Sequence, residues 1–337
     1  MTTKYLVDPE LVALLDQIPA SVLTAETLGQ TRAQAKMAVA AMLSQASANV
    51  PQFSALSVSE RFIPGLEGAP DVRVLVYLPT SVQGSLPVLL WLHGGGYVMG
   101  SADAEDLRVK SIVSAIGCAA VSVDYRLAPE TPYPGPVEDC YVALKWLSTH
   151  ADELGIDPKR IAVGGGSAGG GLAAALALLA RDREEVSLVF QFLLAPMLDD
   201  RTCTLAKPHP YTGEFIWTPE TNRFGWTSLL SQEPGGADIS PYAAAARAEH
   251  LEGLPAAFIT VGSIDLFLEE DLEYARRLTR AGVPTELHVY PGAYHGFSMV
   301  ADAQVTQTAE RDQLAALKRA FDPSRRSDKT PLHADHS

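Results

Sequence analysis

The chain has 337 residues, 47% apolar and 20% charged, which is ample material for one large core or two smaller ones. A formal charge of −14 excludes the basic footprint that nucleic acid or an anionic membrane surface requires, and no apolar run approaches the ~18 residues of a membrane span. Three scattered cysteines in no metal spacing, Cys118, Cys140 and Cys203, and an N-terminus without a signal pattern read as a reduced, cytoplasmic protein.

Asp8-Pro9-Glu10 starts a helix with a capping acid and a proline in its first turn. Leu11, Val12, Leu14, Leu15 and Ile18 share one face, and Pro19 stops it. A second, alanine-rich helix is expected over 31–46. Both precede any strand, so the first 50 residues read as an appendage packed onto something else. Strands are expected over 58–63 and 72–78. Pro87 to Leu92 is uninterruptedly apolar, as a strand buried on both faces should be, and runs into His93-Gly94-Gly95-Gly96-Tyr97. A helix over 105–116, a strand over 119–123 ending in Asp124-Tyr125-Arg126-Leu127-Ala128-Pro129-Glu130, and a long helix over 136–154 follow. After a glycine-rich turn come a strand over 188–194 and an irregular insert, 197–242, carrying Tyr211, Phe215, Trp217, Phe224 and Trp226. That aromatic density suits packing against the N-terminal helices and the wall of an apolar pocket. The alternation resumes with a strand over 256–261, a helix over 269–281, a strand over 286–290 and a helix over 304–321; the tail from 322 to 337 is polar and expected to be flexible. Alternating strands and helices predict a mostly parallel, eight-stranded α/β sheet with helices on both faces.

The turn between the fifth strand and its helix reads Arg160-Ile161-Ala162-Val163-Gly164-Gly165-Gly166-Ser167-Ala168-Gly169. Gly165-x-Ser167-x-Gly169 fits a nucleophile elbow, a sharp strand-to-helix turn that lifts a serine oxygen into a cleft above a helix N-terminus. Gly164-x-Gly166-x-x-Gly169 also matches a dinucleotide-binding turn, but that reading wants an acid at the end of the next strand, where Ala195-Pro196 stands. A plain tight turn is the third reading. These residues alone leave all three open.

Three further turns lie at the C-terminal ends of predicted parallel strands, where open α/β sheets place their ligands. They carry His93, Asp265 and His295. The order Ser167, Asp265, His295, spaced 98 and then 30 positions apart, is that of α/β-hydrolases. HGGG at His93, DYRLAPE at Asp124, GGSAGG at Gly165, GSIDLFLEE around Asp265 and HGF at His295 together closely resemble the hormone-sensitive-lipase family of α/β-hydrolases, and its bacterial carboxylesterases in particular. The resemblance covers the chain to about Phe321. It implies one α/β-hydrolase domain over 1–321 with a helical lid from 1–50 and about 197–242. It further implies a serine carboxylesterase acting on short- to medium-chain esters without metal or cofactor. Ser167 would be the nucleophile, His295 the base, Asp265 the residue that orients it, and the backbone N–H groups of Gly94, Gly95 and Ala168 the oxyanion hole. The expected partner is a small ester, with neither nucleic acid nor stable membrane association, on a monomer or homodimer. His93 is expected to prop its glycine loop, Asp124–Glu130 to buttress the floor, and Tyr97 and Phe297 are candidates for substrate contact. Two departures stand out: Gly166 replaces the family's usual aspartate, and Leu266 the proline usual after the acid.

Overall fold

A computed structural model describes residues 2–17, 23–46, 53–81, 84–322 and 324. Ile18, Pro19 and the tail beyond 324 lie outside the described residues. Eight strands form one sheet: β1 (Leu56–Ile63), β2 (Val72–Pro79), β3 (Leu86–Leu92), β4 (Ala119–Asp124), β5 (Ile156–Gly166), β6 (Phe190–Leu194), β7 (Ala256–Gly262) and β8 (Thr285–Tyr290), in the order β1-β2-β4-β3-β5-β6-β7-β8. From β4 to β8 every neighbouring pair is parallel, and only β2 runs against its neighbours.

The β3 strand is apolar at every position because helices cover both faces. Along β3, Val88, Leu90 and Leu92 turn to one side, and Leu89 and Trp91 to the other. The first side is closed by α4 (Gly135–Thr149) and α6 (Ala168–Arg183), the second by α3 (Asp106–Ile116) and α9 (Gln304–Phe321). The α6 helix is buried at every residue from Ala168 to Ala180, which explains an Ala/Leu composition with no polar face. Cys118 and Cys140 are unpaired and buried, and burial pushes the Cys118 thiol up to about 12. None of the described helices is long and apolar enough to cross a membrane.

Several boundaries differ from expectation for local reasons. The helix expected over 136–154 breaks at His150 into α4 and α5 (Ala151–Leu154), which ends on left-handed Gly155. The second N-terminal helix, α2 (Ala25–Ala46), begins six residues earlier than expected. The insert is not wholly irregular: it holds α7 (Pro219–Leu230), started by Pro219 in its first turn and by the Thr218 hydroxyl, which accepts from the Thr221 N–H. The remaining helices are α1 (Val12–Leu15) and α8 (Leu268–Arg280).

Candidate active site

The turn between β5 and α6 owes its shape to close backbone approach. A Cβ on Gly165 would lie 2.4 Å from the Gly169 carbonyl carbon, and one on Gly169 would lie 2.0 Å from the Leu92 carbonyl oxygen. Only glycine permits either packing. Ser167 sits between them at φ 56°, ψ −122°, a sparsely populated region for a residue with a side chain. The conformation is held by its neighbours: the Ser167 N–H donates to the Leu194 carbonyl at 2.8 Å, and its carbonyl accepts from Gly171 and Met197. Gly166 contrasts with its neighbours, since a Cβ there would meet nothing nearer than the Leu194 oxygen at 3.8 Å, so the steric demand that fixes Gly165 and Gly169 does not fix it.

The loops after β7 and β8 are zipped together. Ser263 N–H donates to the Tyr290 carbonyl and Ile264 N–H to that of Ala293, while the Ser263 hydroxyl accepts from Gly292 N–H. This joins the loop bearing Asp265 to the loop bearing His295. The Asp265 Oδ2 lies 2.9 Å from His295 Nδ1, and its Oδ1 accepts from Phe267 N–H at 3.0 Å. His295 Nε2 lies 3.0 Å from Ser167 Oγ. With a carboxylate on Nδ1, that nitrogen carries the proton and Nε2 offers its lone pair to the serine hydroxyl. Asp265 is 1% exposed and His295 9%, and the Phe267 edge packs on the imidazole at 5.0 Å. Water therefore has little access to the acid–imidazole contact, which strengthens it.

Gly94 lies across from the serine, with its would-be Cβ 3.5 Å from Ser167 Cβ. Gly95 has φ +119° and its would-be Cβ meets the Met99 carbonyl, so no other residue fits. His93 stacks on Tyr125 at 4.1 Å, and its Nδ1 lies 2.8 Å from the Gly94 carbonyl. Burial holds its pKa below the usual range, outweighing the pull of that carbonyl. A neutral ring thus fills the space beneath the loop. The Tyr125 hydroxyl donates to the His93 carbonyl, Arg126 pairs with buried Asp139, and Asp124 accepts from Ala102 N–H. The 124–130 stretch therefore carries the glycine loop on its back.

Ser167, His295 and Gly94 open onto a cleft of about 170 Å³ whose wall includes Gly166 and Phe297. Tyr97 does not reach it. That ring is wholly buried against Trp226, with its hydroxyl on the Met197 carbonyl, so the substrate contact expected of it is not there. Leu266 packs against Gly213 of the insert. Of the insert's aromatics, Phe224 packs on the cluster of Leu23, Leu28, Val98 and Ala128, and Trp217 lies 6.3 Å from the His295 ring, but none lines this cleft. Arg108 of α3, Gln313 of α9 and Glu105 just before α3 also line the cleft; they carried no motif, and only the fold brings them there.

A serine oxygen bonded to an imidazole that is bonded to a buried carboxylate, at the strand ends of this sheet, defines an α/β-hydrolase; a dinucleotide turn has no use for it. Residues 89–299 match the family model described as alpha/beta hydrolase fold. Carboxylesterase NlhH of Mycobacterium tuberculosis is 37% identical over 323 residues, 94% of this chain and 96% of that protein. A solved bacterial heroin esterase superposes with a TM-score of 0.88 at 41% identity, covering 95% of this chain and all of the other. Esterase LipW of Mycobacterium marinum superposes at 0.82 with 34% identity over 95% and 98%. The chain belongs to the α/β-hydrolase family, on its hormone-sensitive-lipase branch, and is a carboxylic ester hydrolase.

Proposed function

We propose that Ser167, His295 and Asp265 are the catalytic triad of a carboxylesterase for short- to medium-chain esters. The observation that carries the reading is the unbroken line of contacts, 3.0 Å from serine to imidazole and 2.9 Å from imidazole to carboxylate. The Ser167 oxygen attacks the ester carbonyl carbon while its proton passes to His295 Nε2, because a hydroxyl is a poor nucleophile until a base takes that proton. Asp265 holds the ring in the required tautomer and stabilises the imidazolium. The new oxyanion is met by backbone N–H groups of Gly94, Gly95 and Ala168, the last at the N-terminus of α6, in a site with little water. The imidazolium then gives its proton to the departing alkoxide. Water, deprotonated by His295, attacks the acyl-serine and releases the acid. The strained φ of Ser167 and the modest cleft support nucleophile and chain length respectively.

Ser167→Ala is the direct test. Turnover of p-nitrophenyl acetate should fall by about 10⁴-fold or more with the melting temperature nearly unchanged, since the triad acts as a unit. A serine-directed organophosphate should label Ser167 and no other residue. Label elsewhere, or substantial turnover in the variant, would overturn the assignment.

A further inference from the structure

The cleft beside Ser167 has two chemically different walls. Trp91, Leu194 and Phe297 supply an apolar one. The other is built from Arg108 at the start of α3, Gln313 on the buried face of α9, Ser298 just past His295, and Glu105. Arg108 donates from Nη2 to the Ser298 hydroxyl at 3.1 Å, and its Nε lies 3.5 Å from a Glu105 oxygen. Among the described residues, no hydrogen bond to protein engages the rest of its guanidinium fork. The Gln313 carboxamide, on a residue only 9% exposed, likewise has no protein partner among them. That amide opens on the cleft beside the ester-cleaving serine, so a ligand that covers it without offering an acceptor leaves it unpaired at a cost. Both groups offer N–H donors. Glu105 stands close enough to offset the guanidinium charge, so this end of the cleft is rich in donors yet close to neutral.

The geometry points to a specificity subsite for esters that carry a second, uncharged oxygen acceptor, such as a ketone carbonyl, a few bonds from the scissile carbonyl. The inference rests on the assignment of Ser167 as nucleophile and names the substrate class of that same site. A purely alkyl chain placed there leaves the Arg108 and Gln313 donors stripped of water and unpaired, and that penalty is what discriminates. A free carboxylate gains less than Arg108 alone would suggest, because the Glu105 carboxylate beside it repels a second anion.

Esters matched in heavy atoms test this. Methyl levulinate, methyl hexanoate and monomethyl succinate differ only in what stands at the far end of the acyl group; acetonyl and butyl propionate make the same comparison on the alcohol side. Each kcat/KM is divided by the ester's rate of hydroxide-catalysed hydrolysis. In at least one set the wild type should favour the ketone over the alkyl ester by about tenfold, the value of one hydrogen bond to a charged donor. Arg108→Met combined with Gln313→Leu should bring that ratio to near parity, and Gln313→Leu alone should lower it. Arg108→Lys, which keeps the charge, serves if the double variant does not fold, and should also lower the ratio through loss of the fork. A ratio near parity in both sets of the wild type, or one unmoved by the variants, would overturn the subsite. So would monomethyl succinate outpacing methyl levulinate, since that is recognition of charge. None of these results touches the nucleophile, whose failure would show instead as turnover by Ser167→Ala.

Discussion

Residues 3–15 and α2 both approach the body from outside the sheet, and they are held to it by different physics. The first stretch is part of the core. Leu11 is fully buried and Val7 nearly so, against Ile264, Tyr290, Ala293, Tyr294 and Phe297, the residues that surround Asp265 and His295. Asp8 N–H donates to the Gly292 carbonyl at 3.0 Å, the Tyr294 hydroxyl to the Leu11 carbonyl at 3.1 Å, and the Glu214 carboxylate of the insert accepts from Thr2 and Thr3. Burying a leucine of this kind contributes about 1.5–3 kcal/mol. The α2 helix buries little beyond Leu28, and its Val39 and Leu43 face a cavity of about 550 Å³ that separates it from Gly100, Asp103 and Leu127. Arg32 is its chief polar anchor, donating to the Val98 and Ala128 carbonyls at 2.6 and 2.8 Å and to Glu130 at 2.6 Å. The N-terminal segment was expected as a lid; we infer that it is two devices, of which the first braces the histidine loop and only the second is built to lift.

Substitutions graded by size separate the two. The ceiling is Asp265→Asn, which leaves His295 in the wrong tautomer and should cut kcat by about 10⁴ at neutral pH without altering α2. Removing residues 1–17 should come next, lowering kcat by about 10²-fold, the effect of a misplacement near 1 Å in a catalytic group, with KM less affected. Leu11→Ala should act in the same sense and cost about 2–5 kcal/mol of stability through the cavity it leaves. A truncation that changes only the preference between acetate and octanoate esters would show that residues 3–15 are a lid after all. Arg32→Met should do less to chemistry and more to access: kcat for a small ester should hold, while KM for long-chain esters changes and α2 amides exchange faster. Equal loss of kcat in the Arg32 and Leu11 variants would show that α2 and residues 3–15 act alike.

The sheet was legible in the sequence because strands buried on both faces leave unbroken apolar runs such as 87–92, and elbow glycines leave a run that no ordinary helix tolerates. The three residues proposed as the triad were legible because each sits in the turn that follows a strand, Ser167 after β5, Asp265 after β7 and His295 after β8. The α7 helix was missed although Thr218-Pro219-Glu220 is a helix start, because the aromatics around it drew the reading toward an irregular wall. The packing of residues 3–15 was not legible for a different reason. The periodicity of Leu11, Val12, Leu14 and Leu15 reveals an apolar face but not which surface receives it. Backbone groups such as Asp8 N–H and the Gly292 carbonyl leave no residue-type signal at all. Arg108 and Gln313 lie 205 residues apart on helices with no motif, and only closure of the sheet sets them in one cleft.

The smallest expected effect is on pH, and it falls on α2 rather than on the brace. Glu130 has its pKa lowered chiefly by the hydrogen bond from Arg32, with its own backbone N–H helping. A carboxyl depressed in the docked state contributes stability above its undocked value, near 4.3, and that contribution fades as pH falls through the lower docked value. Because the Glu130 side chain is 63% exposed, solvent screens the pair and the effect should not exceed about 1 kcal/mol. A spin label on Met37→Cys, a position 66% exposed on α2, reports docking once Cys203 is replaced by serine. Label mobility should be flat from neutral pH down to about 5, rise as Glu130 protonates below about 4.3, and rise at neutral pH in molar salt. In Glu130→Gln the acid-induced rise should vanish. Wild-type mobility that ignores both acid and salt would mean that α2 is fixed by its buried contacts, as residues 3–15 are, and that the two stretches are one device.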